Sequence, residues 1–246
     1  METSWYARWQ GSIGIVGAIE PEVMLLENAL EDICRFDMGS ASLAGGTLEG
    51  YKVIVARSGV GKVNAAACAQ ALAVLGVSCV INTGVAGAVG EGLRIGDYVV
   101  ATSCVQHDFD VSHFGFEVGH IPGFPSKTFE TDDALRAMLA DTVARKTGNA
   151  PFEGCIVSGD RFISDAREKR RLSLAFGALC CDMEAAALAQ VCTLADVAFA
   201  VVRVISDLAD GSRPEDYWRF ETEAAHASAA IVQMALRSFG GMKACL

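Results

Sequence analysis

Positive charge is scarce in this chain: 20 lysines and arginines stand against 30 aspartates and glutamates, a formal net charge of -10. That balance argues against nucleic acid or an anionic membrane surface as the main partner, since both are bound through surplus cation. Long apolar runs are missing too, because glycines and charges interrupt every candidate before the roughly 20 residues that a spanning helix needs. The opening residues METSWYARWQ have neither the basic start nor the apolar core of a signal peptide. Residues 1–11 are therefore expected to be a short extension ahead of the first strand. The nine cysteines form no C-x-x-C pair and mostly sit inside apolar segments. They read as buried reduced thiols of a cytoplasmic protein rather than as disulfides or zinc ligands. Linkers, repeats and low-complexity stretches are also absent, so residues 12–246 are expected to form one domain.

What is present is an α/β pattern. The chain is 52% hydrophobic and carries 25 glycines, a composition suited to many strand–helix turns. Apolar strands are expected at Ser12–Ile19, Ser78–Asn82, Tyr98–Cys104, Cys155–Ser158 and Leu179–Cys181, with a hairpin over Gly45–Arg57 turning at Glu49-Gly50. Helices are expected from Glu20-Pro21-Glu22, from Lys62 to Gly76, and over Asp132–Lys146, Asp165–Ala175, Glu184–Leu194 and Pro214–Arg237. Thr83–Gly87 reads as a glycine turn after its strand, and Gln106–Lys127 as a long irregular loop. Strands alternating with helices predict a three-layer α/β/α sandwich around a mixed central sheet.

One strand concentrates the chemistry. Ala198–Ile205 is almost wholly apolar, is broken once by Arg203, and ends on Ser206-Asp207, with Asp210 close behind. Open α/β sheets bind ligands at such carboxyl ends. Three acids recur at strand-to-helix junctions: Glu20, Glu184 and Asp207. Glu20, before Pro21 at a helix N-terminus, should be held ionised and so able to act as a base. Desolvation beside its apolar strand should instead favour the protonated form of Asp207, and carboxyls pushed in opposite directions suit acid and base in one site. Strand alternation puts Arg203, Ile205 and Asp207 on one side and Ser206 on the other. A buried guanidinium needs an anionic partner, for which Glu20 is the expected choice. Gly59-Val-Gly61-Lys62 lacks the spacing and hydroxyl of a phosphate loop. His107, Asp108, Asp110 and His113 read as loop residues shaping a pocket or subunit contact, not as a metal site.

Taken in order, these segments resemble the methylthioadenosine/S-adenosylhomocysteine nucleosidases of the nucleoside phosphorylase superfamily. The segments are Gly14–Val23, Ser58–Ala65, Asn82–Gly87, Val157–Phe162, Asp182–Ala186 and Arg203–Asp210. The resemblance implies a nucleoside phosphorylase-like fold and hydrolysis of an adenosine-type N-glycosidic bond, without cofactor or metal, releasing adenine. It implies that Glu20 activates water with help from Arg203, and that Asp207, oriented by Ser206, protonates N7 of adenine. Met183 would pack on the ribose, Glu184 would bind its hydroxyls, Phe162 would stack on the purine and the backbone of Ile163 would read its edge. Val111, Phe114 and Pro122 would complete the neighbouring subunit's 5′ pocket, which implies a homodimer. Val85 stands where many relatives carry serine, so a hydroxyl contact near water and ribose is missing. Cleavage of 6-amino-6-deoxyfutalosine and phosphorolysis are the alternative activities. An anionic acid and an apolar Val85 near C1′ oppose a phosphate nucleophile.

Overall fold

A computed structural model describes residues 7–209 and 214–239. The expected Asp210, and residues 1–6 of the expected extension, lie outside them. The order of elements is β1 (Ile13–Gly17), α1 (Glu20–Asn28), β2 (Glu31–Met38), β3 (Ala41–Leu48), β4 (Tyr51–Arg57), α2 (Lys62–Leu75), β5 (Cys79–Ala88) and β6 (Tyr98–Gln106). It continues with β7 (Phe129–Glu130), α3 (Asp133–Thr147), β8 (Phe152–Ser158), α4 (Ala166–Phe176), β9 (Ala178–Asp182), α5 (Ala185–Leu194), β10 (Ala198–Asp207) and α6 (Pro214–Phe239).

The sheet is mixed, as expected, and runs β10-β6-β8-β9-β5-β1-β4-β3-β2. β10 also pairs with β5, in parallel over Ala198 to Asp207. Strands β5, β10, β6, β8 and β9 therefore close on themselves, and β1, β4, β3 and β2 extend the sheet beyond the ring. This closure was not legible in the sequence, because a cyclic pairing leaves no periodic signature. Helices cover both faces. α2 packs with α5, and α1 and α3 pack with α6. Between them lie two apolar clusters, one around Leu72, Leu75, Leu188 and Ile54, the other around Ile15, Leu26, Ile81 and Leu139.

Local chemistry accounts for the element ends. Pro21 occupies the first turn of α1. α2 stops at Gly76, whose φ of 74° is left-handed. The β3–β4 hairpin turns where expected, with Glu49 at φ 52° and Gly50 at φ 83°, the paired positive angles of a tight hairpin turn. Two readings are revised. Thr83–Gly87 is not a turn but the second half of β5, since its backbone groups continue the ladder to β10. β2 escapes the pattern because half of its residues, EDICRFDM, are charged and none is fully buried, as suits the outermost strand. Ahead of β1, Trp9 is buried, stacks on Phe36 at 5.6 Å and fills the space left by the missing side chain of Gly45.

Candidate active site

The carboxyl ends of β1, β5 and β10 meet at a group of buried charges, joined by the turn from β9 into α5. Alternation along β10 places Arg203 inward, where it is almost fully buried. Its Nε and Nη2 donate to Asp182 Oδ2 at 2.9 and 2.7 Å, and Nη2 also donates to Asn82 Oδ1 at 2.5 Å. Asp182, at the end of β9, is itself braced: Ser158 Oγ donates to its Oδ1 at 2.5 Å, and the amides of Glu184 and Ala185 point at it from 3.3 Å. The expected pairing of Arg203 with Glu20 is thus replaced by a buried pair with Asp182. Burial alone would lower the guanidinium pKa, but Asp182, Glu22 and Glu184 together raise it.

Glu20 does not enter this group. Its side chain is 70% exposed and reaches Arg57 at 3.8 Å. Two residues further along α1, a rotation of about 200° turns Glu22 to the opposite side. Glu22 is 4% exposed. Its Oε2 accepts from the amides of Ala18 and Ile19 at 2.6 and 3.1 Å, and its Oε1 accepts from the amide of Val85 at 3.0 Å. The carboxyl therefore caps its own helix and bridges to β5. Glycine is required on both flanks, because a Cβ on Gly17 or Gly84 would collide with Glu22. Burial raises the pKa of Glu22, while Arg203 and the three amides oppose that shift. The chain signal for Glu22 was present, since an acid at the third helical position reads as half of a capping box.

Glu184 stands at the N-cap of α5 and is also buried. Its Oε1 accepts from the amide of Gly61 at 2.7 Å. Burial and the neighbouring negative charge of Asp182 raise its pKa to about 8, against the pull of Gly61 and Arg203. Met183 precedes it, half-buried.

Asp207 is built differently. A register shift between Ile205 and Asp207 interrupts the pairing with β5, so strict alternation fails there. Ser206, expected on the opposite side, instead donates its Oγ to Asp207 Oδ2 at 3.0 Å. Oδ1 accepts from the amide of Ala209 at 2.9 Å. Gly87 lies opposite in the ladder, and a Cβ there would press on the Asp207 carboxyl. Val85 and Gly87, which contact Glu22 and Asp207 respectively, are two residues apart on β5, or about 6.6 Å of strand. Val85 is half-buried between them.

Phe162 is 56% exposed and Ile163 is buried, both on the segment between β8 and α4. That segment is tied to the start of α2 by Asp160 Oδ1, which accepts from the amide of Lys62 at 2.9 Å. Asp108, in the next loop, pairs with Lys62 Nζ at 2.6 Å and accepts from the amide of Asp160 at 3.0 Å. Val111, Phe114 and Pro122 lie in the irregular segment between β6 and β7, where Phe114 is 77% exposed.

Comparison with known proteins places this geometry. Residues 12–238 match the sequence model of the Phosphorylase superfamily. The chain is 40% identical over 223 residues to the 5′-methylthioadenosine/S-adenosylhomocysteine nucleosidase of Actinobacillus succinogenes, an alignment covering 89% of this chain and 96% of that one. Its fold is similar to the crystal structure of the corresponding nucleosidase of Neisseria meningitidis in complex with methylthio-immucillin-A: TM-score 0.88, 35% identity, 92% of this chain and 99% of that one. It is also similar to the native futalosine hydrolase of Helicobacter pylori, with TM-score 0.88, 32% identity, and 94% and 99% coverage.

Proposed function

The chain belongs to the 5′-methylthioadenosine/S-adenosylhomocysteine nucleosidase family of the phosphorylase superfamily, and from that premise we propose how its residues divide the work. The protein is an N-glycosyl hydrolase: it cleaves the N-glycosidic bond of 5′-methylthioadenosine and S-adenosylhomocysteine, releasing adenine and the 5-thio-substituted ribose. Such a cleavage passes through an oxocarbenium-like state, so the site must protonate the departing base and deliver water to C1′. Asp207 gives its proton to N7 of adenine, and the electrons of the C1′–N9 bond leave with the base. Water adds to C1′ and loses a proton to Glu22. The site resets when solvent returns a proton to Asp207 and accepts one from Glu22.

The observation that carries this reading is the clamp on Glu22, a buried carboxyl fixed by three amides within the field of Arg203. The base expected at Glu20 is therefore assigned to Glu22. Its clamp on Val85 lies two residues along β5 from Gly87, beside the acid. Asp182 holds Arg203, and Arg203 offsets the burial of Glu22 without a direct ion pair. Glu184 binds the ribose hydroxyls and Met183 packs on the ring. Phe162 and the backbone of Ile163 hold the purine. The half-buried Val85 offers neither charge nor hydroxyl, and the carboxylate of Glu22 repels anions, so water rather than phosphate is the nucleophile.

A homodimer completes the 5′ pocket through Val111, Phe114 and Pro122 of the neighbouring subunit. Support comes from exposed apolar side chains on the packed pair α2 and α5, where Val63 is 80% and Leu194 68% exposed, and from Phe114 itself. The eight described cysteines are all unpaired, which fits a cytoplasmic enzyme whose thioribose product feeds methionine salvage. Incubation with methylthioadenosine with and without inorganic phosphate tests the reading. Adenine and free methylthioribose should appear at equal rates in both. A strict need for phosphate, with a sugar 1-phosphate as product, would overturn it.

A further inference from the structure

The turn that follows the acid is held from outside by one lysine. After Asp207 the chain bends at Leu208-Ala209, and Ala209 adopts a left-handed φ of 49°. A non-glycine residue is strained in that conformation, so neighbouring contacts must hold the turn in place. The turn matters because the amide of Ala209 is the donor that fixes Asp207 Oδ1. Among the described residues a contact from outside comes from Lys169, on α4, whose Nζ donates to the carbonyl of Leu208 at 2.6 Å. This is a charge-assisted bond in a half-buried setting, where it is stronger than a neutral one. Lys169 is itself anchored in the first turn of α4, its amide donating to the carbonyl of Asp165 at 2.9 Å. Asp207 and Lys169 also act on the same buried thiol of Cys181 with opposite signs, which places the cation on the acid's side of the ring.

We propose that Lys169 is a positioning residue for the acid: by holding the Leu208 carbonyl it sets the turn that aims the Asp207 carboxyl at the departing base. The inference rests on Asp207 being that acid. The same helix follows directly on the segment carrying Phe162 and Ile163, so Lys169 also ties the purine's cover to the group that protonates it. Lysine's long stem and three donors let it serve as a brace without entering the site.

The test uses two substrates that differ in their need for the acid. Methylthioadenosine requires protonation of its base, whereas a 4-nitrophenyl 5-methylthioriboside releases 4-nitrophenolate, a stable anion that needs no proton to depart. Lys169→Met should lower kcat on methylthioadenosine by about 10-fold with KM within about twofold, because small misplacement of an acid is felt in turnover. On the nitrophenyl glycoside the same variant should lose less than about twofold. Lys169→Arg, which keeps a cationic donor, should recover most of the loss. Equal losses on both substrates, a change confined to KM, or full turnover in Lys169→Met would overturn the role of Lys169. Asp207→Asn run alongside separates the two claims. If it retains normal turnover of methylthioadenosine, the acid assignment itself falls; if it loses turnover while Lys169→Met does not, only the brace falls.

Discussion

The two carboxyls of the site are prepared by different physics. Glu22 lies deep at the junction of β1, α1 and β5, clamped by three backbone amides and flanked by glycines that leave no room for another side chain. Asp207 lies half-buried at the end of β10, after a break in register, where a serine hydroxyl and the amide of Ala209, in a left-handed conformation, are among the groups that hold it. The first is a group whose place the fold fixes while burial raises its proton affinity against Arg203 and three amides; the second is a group whose direction a short turn decides. A buried base with raised proton affinity and an acid fixed in aim meet opposite demands on one substrate.

Asp207→Asn should break the comparison on the catalytic side alone. The amide is isosteric, its oxygen still accepts from Ala209, and Ser206 can rotate to accept from the new NH2. Turnover should fall by about 10³-fold or more with substrate binding retained, at the upper end of what a general acid contributes. The melting temperature should move little. Steady-state kinetics beside a thermal melt check both halves.

Glu22→Gln should break it on both sides. Turnover is expected to fall by about 10²–10³-fold through loss of the base. The new NH2 must also face at least one of three backbone donors, leaving a buried amide unpaired at about 1–3 kcal/mol. A drop in melting temperature that Asp207→Asn lacks is the expected result. Equal melting temperatures for the two variants would remove the distinction between clamp and turn.

How much of this was readable beforehand follows the same division. Arg203 and Asp207 were legible because an arginine and a terminal acid stand out in a strand with seven apolar residues in ten, and the α/β class followed from alternation. Glu22 was passed over for Glu20 because both acids sit in the first turn of α1, and sequence alone does not say which way a helix faces until its packing partner is known. Asp182 was read only as part of a segment, since its bond to Arg203 joins residues 21 apart across the ring. The placement of Ser206 beside Asp207 depends on a register shift that alternation cannot foresee. The closure of the ring by β5 and β10 is a long-range pairing with no local trace.

A further difference concerns pH. Glu184 has its carboxyl pKa raised from 4.5 to about 8 by burial and by Asp182. A raised carboxyl binds its proton more tightly in the folded chain, so between those two values the folded state holds more protons than the unfolded one. Stability should therefore fall as pH rises from about 4.5 towards about 8, then level off as far as this group is concerned. Glu184→Gln, which mimics the protonated form, should flatten that slope. Thermal melts of the two proteins across the window measure it, and parallel curves would show that Glu184 does not hold the proton.

The smallest effect is expected from Glu20→Gln, and it decides which acid of α1 belongs to the site. Glu20 meets Arg57 at 3.8 Å with both side chains largely in solvent. Pairs of that kind contribute at most about 1 kcal/mol and weaken with salt. The helix dipole adds a few tenths of a kcal/mol to about 1 kcal/mol more for an acid in the first turn. Turnover of methylthioadenosine should stay within about twofold of the parent at every ionic strength, while Glu22→Gln is nearly inactive. The reverse order, with Glu20→Gln losing turnover and Glu22→Gln keeping it, would require α1 to rotate by roughly half a turn on binding substrate. That rotation would drag Pro21 inward and break the three amide bonds to Glu22. The gap between the two variants therefore measures how far the clamp persists in the working enzyme.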